Sequence, residues 1–268
     1  MGLIVFSDLD GTLLDHDTYS HEAAGPALDA LRARGIPLIL CSSKTRAEML
    51  NIWNALGLQD PFIVENGGGV FIPEEHFLAA GPGWKPAGAG WRMMALGLPI
   101  AEVRALFSRF KDQFQAKGFG DMSDQEVANL TGLSLAQAAL ARQRDFNEPV
   151  WLPEPDAQAG AFSRAAQAVG LEVTRGGRFF HLLAGGDKGK AVDKVAHLYR
   201  AYDKGLVTMA LGDALNDLPM LAQVDKPVLV AQHNGGHADI ELPGLILEPG
   251  IGPIGCNAAI LAALGELQ

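Results

Sequence analysis

The stretch LIVFSDLDGTLLD, residues 3–15, decides how this chain folds. Its first residues are apolar without alternation, which predicts a strand buried on both faces, as in a parallel sheet covered by helices. The strand ends at Asp8, Asp10 follows, and Gly11 lets the chain turn. The ligands of open parallel sheets bind beyond the carboxyl ends of the strands, so these two carboxylates are candidates for a reaction site. A lone Asp-x-Asp at a strand end is usually a turn or a helix cap, and the further motifs below favour the reaction site.

The first third of the chain alternates apolar strands with amphipathic helices, and the same alternation returns at residue 187. This rhythm predicts right-handed crossovers and an α/β fold with a doubly wound, Rossmann-like parallel sheet. The predicted strands are 3–8, 36–43, 61–68, 206–211, 226–231 and 245–249, and the predicted helices are 22–34, 45–56, 189–202, 217–222 and 253–264.

The middle of the chain has a different composition. Residues 79–91 are rich in Gly, Pro and Ala, which is typical of a linker. Helices follow, two of them opened by capping boxes at residues 123–126 and 134–137, and a hairpin is predicted over 171–183. This mixture predicts an inserted α+β module, with the first part of the core at 1–84, a cap at 85–186 and the second part of the core at 187–268.

The composition restricts the partners. The 268 residues include 21 basic and 31 acidic ones, a formal net charge of −10, which argues against nucleic acid or an anionic membrane as the main partner. Two cysteines are too few for a disulfide framework or a thiolate zinc site. No apolar stretch approaches the ~18 residues of a membrane span, and no signal-peptide pattern is present. We expect a cytoplasmic protein with a small-molecule partner, and the sequence leaves its oligomeric state open.

Four polar clusters occupy ends of the predicted strands and helices: residues 8–10 (DLD), 42–44 (SSK), 187–188 (DK) and 212–217 (GDALND). Asp8 is expected to be a nucleophile that forms an aspartyl-phosphate. Asp10 is expected to protonate the leaving oxygen and later to accept a proton from the attacking water. Lys188 would offset the charge of the phosphate, and Ser42 would donate a hydrogen bond to it.

The same clusters predict a metal site. Mg²⁺ prefers carboxylate oxygens together with water and substrate phosphate. The expected ligands are Asp8, Asp10, Asp213 and Asp217. The metal would neutralise the charge that develops during an in-line phosphoryl transfer.

These motifs carry a family resemblance. DLDGTLLD, CSSKT, GGDKGKA and GDALND resemble, in order and spacing, the haloacid dehalogenase-like phosphatases, and the insertion is similar to the larger, C2-type cap of that superfamily. More narrowly, SSKTRAEM, FIVENGGG, ARQRDFNEP and GGRFFHL resemble mannosyl-3-phosphoglycerate phosphatases over almost the whole chain. Much of the superfamily has Thr-Gly-Arg where this chain has Ser42-Ser43-Lys44, and the departure fits the narrower family.

The resemblance implies a set of substrate contacts: Lys44, Glu65, Asn66, Gly67, Arg144, Arg178 and Asn216. Arginine suits two-point recognition of a carboxylate, and Lys44 would reach a second anionic group. The alternatives are a turn residue for Glu65, a cation at a helix end for Arg144 and a solvated hairpin residue for Arg178. Ser42 is assigned to the phosphate, with Ser43 as its alternative.

The resemblance also implies a function: a Mg²⁺-dependent phosphatase that converts mannosyl-3-phosphoglycerate to mannosylglycerate and phosphate. The alternatives are another sugar phosphatase, acting on glucosyl-3-phosphoglycerate or a hexose phosphate, a sugar phosphomutase, and a non-catalytic sensor of sugar phosphates. A sensor need not keep both a nucleophile and an acid, so Asp8 together with Asp10 argues against it.

Overall fold

The computed structural model describes residues 2–88, 90–176 and 178–266. The strands in these ranges are β1 (Leu3–Ser7), β2 (Leu38–Cys41), β3 (Phe62–Val64), β4 (Gly69–Pro73), β5 (Lys85–Pro86), β6 (Trp91–Ala95), β7 (Lys117–Gly118), β8 (Glu148–Trp151), β9 (Glu172–Gly176), β10 (Phe179–Leu183), β11 (Val207–Gly212), β12 (Lys226–Ala231) and β13 (Ile246–Ile251).

The α-helices in the same ranges are α1 (Gly25–Arg34), α2 (Arg46–Ala55), α3 (Ile100–Phe107), α4 (Asp124–Thr131), α5 (Leu135–Ala141), α6 (Pro155–Ala168), α7 (Lys188–Arg200), α8 (Leu218–Leu221) and α9 (Pro253–Glu266). Across this described part of the chain, no helix has the length and apolar character needed to cross a bilayer.

The core is one large sheet with the strand order β13-β12-β11-β1-β2-β3-β4-β6-β5. The strands from β13 to β3 run parallel, and β4, β6 and β5 extend the sheet antiparallel. The doubly wound α/β fold is therefore confirmed, with an antiparallel edge that the sequence did not predict.

Strand β1 is buried on both faces, as predicted. Leu3 and Val5 join a hydrophobic cluster with residues of α1, α2 and α9. Ile4 and Phe6 point to the opposite cluster, which contains residues of α7 and α8. The strand thus lies between two layers of helices, which accounts for its unbroken apolar sequence.

The cap is a separate α+β unit. Its sheet has the order β7-β8-β10-β9, and its strands pair antiparallel. Phe107 of α3, Phe162 of α6 and Phe180 of β10 share one hydrophobic cluster. Both predicted capping boxes are present, at Ser123–Glu126 and Ser134–Gln137, and the predicted hairpin is β9–β10.

The segment 85–95 lies in the core rather than in a linker or the cap. Strand β6 pairs with β4 from Gly69↔Ala95 to Pro73↔Trp91, and β5 pairs with β6. The Gly- and Pro-rich sequence at 79–91 concealed β5, whereas β6 lies in WRMMALG, residues 91–97, which the sequence favours as a strand of the inserted module. We therefore propose a first boundary after Ala95 instead of at residue 84, while 186–187 remains our proposal for the second.

The two chain crossings between core and cap lie side by side. Leu98 N–H donates to Ala184 O at 2.9 Å, and Gly97 N–H donates to Gly68 O at 2.8 Å. A Cβ added to Gly186 would lie 2.5 Å from Gly67 O, so only glycine permits this approach. The crossings are thus packed against the loop that follows β3.

Candidate active site

The site forms at the carboxyl ends of three neighbouring strands. Because β11, β1 and β2 are adjacent and parallel, the residues that follow them meet at one edge of the sheet. Helix α7 begins at the same edge, with Lys188 as its first residue. The four clusters of the sequence thus converge around Asp8.

Lys188 joins two carboxylates in the interior. Its Nζ lies 2.6 Å from Asp8 Oδ1 and 2.6 Å from Asp217 Oδ1, and the Lys188 side chain is only 1% exposed. Burial alone would lower the pKa of Lys188, but the Asp217 and Asp8 carboxylates raise it well above its usual value. Lys188 therefore stays charged and supplies fixed positive charge beside the expected nucleophile.

The loop after β11 holds Asp217 in place. Asp217 Oδ2 accepts the N–H groups of Asp213 (3.1 Å) and Ala214 (3.2 Å). Gly212 makes room for this arrangement, since a Cβ on it would lie 2.5 Å from the Asp217 Cβ. Both Asp217 oxygens thus have partners within the protein, which leaves Asp8 and Asp213 as the freer carboxylates.

The acidic cluster fits a divalent cation. One oxygen each of Asp8, Asp213 and Asp217 lies within 4.8 Å of the others. Burial and the Asp217 charge raise the pKa of Asp213 to about 7. Burial also raises the pKa of Asp8, although the positive charge of Lys188 lowers it. A single ammonium does not offset the two buried carboxylates and the half-buried one of Asp213, and a hard cation among their oxygens would favour the ionised forms. Mg²⁺ suits this donor set.

Asp10 faces Lys44. Asp10 Oδ2 lies 2.8 Å from Lys44 Nζ, and Asp10 Oδ1 is buried without a partner among the described residues. Burial would lower the pKa of Lys44, but Asp10 and Glu48 raise it. The Asp10 carboxylate is not one of the three clustered ones, and its role as a metal ligand stays a prediction.

Ser42 follows β2 at the same edge of the core sheet as Asp8. It is 1% exposed, and its Oγ accepts the N–H of Lys44 at 3.2 Å. With the oxygen used as an acceptor, the hydroxyl proton is available to a phosphoryl oxygen. Ser43 is half-buried, and its carbonyl accepts a hydrogen bond from Arg144 (2.7 Å). The choice between the two serines stays a prediction that favours Ser42.

Glu65 holds a cap loop. Its buried carboxylate accepts three backbone N–H groups: those of Asp145 (2.8 Å), Phe146 (2.9 Å) and Asn147 (2.7 Å). Burial raises the pKa of Glu65, and the Arg144 charge and these hydrogen bonds lower it. Its substrate contact stays a prediction, but these bonds already engage both carboxylate oxygens.

Asn66 and Gly67 follow in left-handed conformations, with φ of 58° and 92°. Asn66 is 5% exposed, and its Oδ1 has no partner among the described residues. A Cβ on Gly67 would lie 2.1 Å from Asp187 O, so this position requires glycine. The loop thus lies against the start of α7, and the substrate contacts of Asn66 and Gly67 stay predictions.

The remaining predicted contacts have diverse surroundings. Arg144 donates to Ser43 O and Ala141 O, both at 2.7 Å, and so bridges cap and core. Arg178 is exposed and donates to Leu130 O within the cap (3.1 Å), outside the group that converges on Asp8. Asn216 is half-buried in the turn Leu215–Asp217. Their substrate roles stay predictions.

Comparison with known proteins gives consistent results. The sequence model of the haloacid dehalogenase-like hydrolase family matches residues 5–79. A relative from Methanococcoides burtonii, named glucosyl-3-phosphoglycerate/mannosyl-3-phosphoglycerate phosphatase, is 42% identical over 266 residues, which are 98% of this chain and 97% of the relative. The chain belongs to the haloacid dehalogenase-like hydrolases.

A second relative of this hydrolase, from Persephonella marina, has the same name and is 38% identical over 99% of this chain and 98% of its own. A phosphatase of the superfamily from Bacteroides thetaiotaomicron, whose structure has been solved, has a TM-score of 0.66 and 19% identity, and the match covers 99% of this chain and 95% of that one. That likeness concerns the fold alone. With its near full-length phosphatase relatives, the chain is a phosphoric monoester hydrolase.

Sequence reasoning missed the buried Asn147 of this hydrolase and assigned no site role to His181, which lies in the GGRFFHL motif. Asn147 Oδ1 lies 2.9 Å from His181 Nδ1, and Asn147 Nδ2 is buried without a partner in the described part of the chain. Burial lowers the pKa of His181 to about 3, so its ring is neutral. Asn147 directly precedes β8 (Glu148–Trp151), but its partner lies 34 residues later, so no local pattern connects the two.

Proposed function

We propose that this hydrolase is a Mg²⁺-dependent phosphatase of glycosyl-3-phosphoglycerates, which converts mannosyl-3-phosphoglycerate or its glucosyl counterpart to the glycosylglycerate and phosphate. The observation that carries the proposal is the buried Lys188, which bridges Asp8 and Asp217, while Asp10, two residues after Asp8, pairs with Lys44. The near full-length likeness to two relatives named for both substrates supports this substrate class.

The first step is attack by Asp8. A carboxylate oxygen of Asp8 forms a bond to phosphorus, and the bond from phosphorus to the C3 oxygen of the glycerate breaks. Asp10, two residues further on, gives its proton to that leaving oxygen. General acid catalysis of this kind contributes about 10²–10⁴-fold.

The second step returns the enzyme to its starting state. Water attacks the phosphorus of the aspartyl-phosphate and loses a proton to Asp10, and the bond from Asp8 to phosphorus breaks. Lys188 and the Ser42 hydroxyl hold the phosphoryl oxygens in both steps. Buried, pre-oriented donors of this kind stabilise the transition state because they need no reorganisation.

Asp8, Asp213 and Asp217 would hold Mg²⁺, with Asp10 as the further ligand that the sequence predicts. When bound, the ion supplies positive charge against the phosphoryl oxygens. The placement of one oxygen from each of these three carboxylates within 4.8 Å of the others supports the assignment.

Recognition of the leaving group requires a cation for its carboxylate. Lys44 is the best placed of the three predicted cations. Its ammonium contacts Asp10, which acts on the leaving oxygen, so Lys44 lies next to the expected position of the leaving group. Arg144 lies at the junction of cap and core, and Arg178 lies in the cap hairpin. Lys44 therefore ranks first, and the two arginines are secondary candidates.

The test is a phosphate-release assay on the purified protein with mannosyl-3-phosphoglycerate, glucosyl-3-phosphoglycerate and common hexose phosphates. We expect the two glycosyl-3-phosphoglycerates to have the highest kcat/KM, and Asp8→Asn to abolish release while keeping substrate binding. Preference for a hexose phosphate would overturn the substrate class. Isomerisation of a hexose phosphate without phosphate release would identify a phosphomutase.

A further inference from the structure

A cavity of about 290 Å³ lies between the core and the cap, beside the phosphate site. Its core wall includes Tyr19, Glu48 and Ile52, and its cap wall includes Leu133, Gln137 and Leu140. Ligand sites favour such clefts between domains, and pockets start at about 300 Å³, so this one has room for a single small ring. None of the reaction steps above uses it.

The inner end of the cavity adjoins Asp10. Two of its lining residues, Leu14 and Lys44, touch Asp10 or its backbone: Leu14 forms a β-bridge with Asp10, and Lys44 forms the 2.8 Å ion pair. A group attached close to the leaving oxygen would therefore extend from Asp10 into this cavity.

The structure of 3-phosphoglycerate determines which substituent would extend into the cavity. In 3-phosphoglycerate, C1 is the carboxylate and C3 carries the phosphate, so a sugar can be attached only to the C2 hydroxyl. The anomeric carbon is then four bonds from the leaving oxygen, about 5 Å in an extended chain. The carboxylate and the sugar branch from the same carbon, so their sites must adjoin, and Lys44 lines the cavity next to Asp10.

We propose that this cavity holds the glycosyl ring of the substrate. This inference rests on the proposed function. Its long walls are apolar side chains, and Tyr19 offers an aromatic face against which the C–H face of a pyranose can pack. Tyr19 is 52% exposed and has a φ of 56°, a strained conformation for a bulky residue that marks functional sites more often than ordinary loops.

The strained loop is held in place locally. Tyr19 N–H donates to Asp15 O at 3.0 Å, and Asp15 Oδ1 accepts both the N–H (2.9 Å) and the hydroxyl (2.8 Å) of Thr18. The Lys44 ammonium lies 5.3 Å from the centre of the Tyr19 ring. The ring is therefore oriented at the mouth of the cavity before substrate arrives.

Most of the wall surface of the cavity is apolar, although six of its twelve lining residues carry polar side chains: Tyr19, His21, Lys44, Glu48, Asn51 and Gln137. Glu48 and Gln137 each use one side-chain oxygen to cap their own helix, at Thr45 N and Ser134 N. A mostly apolar wall discriminates weakly between sugars that differ only in the orientation of one hydroxyl. Such a wall would let one site accept both glucosyl and mannosyl substrates.

Leu140→Trp tests the proposal by filling the cavity. The matched control is Leu135→Trp on the same helix, since Leu135 is 54% exposed and does not line the cavity. Each variant is assayed on mannosyl- and glucosyl-3-phosphoglycerate, and on 3-phosphoglycerate, which keeps the phosphate and the carboxylate but has no sugar. Tyr19→Ala is the second variant and adds no bulk to the interior.

We expect Leu140→Trp to lower kcat/KM for both glycosylated substrates ~10-fold or more, the scale on which a filled hydrophobic pocket discriminates. Hydrolysis of 3-phosphoglycerate should stay unchanged, Leu135→Trp should match the wild type, and Tyr19→Ala should show the same selective loss. Equal losses on all three substrates, or no loss in Tyr19→Ala, would overturn the cavity assignment. Wild-type failure on glycosylated substrates would instead overturn the proposed function, and this inference with it.

Discussion

Lys188 Nζ lies 2.6 Å from Asp8 Oδ1, and the two side chains are 1% and 8% exposed. Lys188→Met would remove the ammonium and leave the Asp8 and Asp217 carboxylates buried without it. Breaking a buried ion pair in this way costs about 3–5 kcal/mol of unfolding free energy. We also expect kcat to fall by ~10²-fold or more, since a pre-oriented donor to the phosphate is lost.

Denaturant unfolding and steady-state kinetics check this, with Lys190→Met as control, because Lys190 is on the same helix with a 56% exposed side chain. The control should keep wild-type stability and turnover. If Lys188→Met were as active as the wild type, Lys188 would have no role in the phosphate site.

The acidic cluster predicts a metal requirement. Phosphate release should stop with EDTA and return with Mg²⁺. Asp213→Asn removes one ligand charge and should raise the Mg²⁺ concentration for half-maximal activity, or abolish turnover. Titration of activity against Mg²⁺ at fixed pH measures this, and full activity in metal-free buffer would contradict the assignment.

Glu65 is expected to position the cap loop through its three backbone hydrogen bonds. In Glu65→Gln a neutral amide replaces the charged carboxylate. One of the two acceptor oxygens becomes an NH₂ group, which is a donor and faces other N–H donors. Hydrogen bonds to charged groups contribute about 1.5–3 kcal/mol, so we expect a loss of that size in unfolding free energy.

Hydrogen exchange distinguishes this effect from general destabilisation. The amides of residues 145–147 should lose protection in Glu65→Gln, while amides in β11 and β12 change less. Glu74→Gln, at a half-exposed carboxylate, should leave the pattern unchanged. Unaltered protection at 145–147 would show that the Glu65 contacts do not hold the loop.

His181 predicts an acid dependence of stability. Its pKa is lowered to about 3 in the folded protein by burial, against about 6.5 in the unfolded chain. The unfolded chain therefore binds a proton below pH 6.5 that the folded chain does not, and stability falls as the pH drops from 6.5 towards 3. At pH 5.5 the cost is about 1.4 kcal/mol.

The comparison of His181→Gln with the wild type isolates this group. The variant should lose less stability than the wild type between pH 7 and pH 5.5, whatever its stability at pH 7. His197→Gln, at an exposed histidine of α7, should keep the wild-type slope. Parallel slopes for His181→Gln and the wild type would mean that His181 becomes protonated in the folded state.

Much of the core was predictable from the sequence because it follows from local patterns and topology. Residues 3–8 are apolar without alternation, and β1 is buried on both faces. Parallel strands force the residues after β1, β2 and β11 to one edge, so Asp8, Ser42 and Asp213 could be grouped without coordinates.

Other features depend on contacts that no local pattern reveals. Glu65 is bonded to backbone groups 80 to 82 residues away, and a backbone N–H leaves no trace in the residue types. Strand β5 was concealed, and the place of β6 in the core sheet was not predicted, because the pairing of β6 with β4 and of β5 with β6 defines them rather than their composition. The cavity between Tyr19 and Leu140 exists only once the cap is placed on the core.

The central claim is that Asp8 accepts the phosphoryl group of a glycosyl-3-phosphoglycerate. The most direct measurement is rapid acid quench of the enzyme during turnover of mannosyl-3-phosphoglycerate, followed by mass spectrometry of its peptides. We predict a phosphoryl group on the side chain of Asp8 within the first turnover, and none in Asp8→Asn. Turnover without a covalent phosphoryl-enzyme, or a phosphoryl group on another residue, would contradict the account.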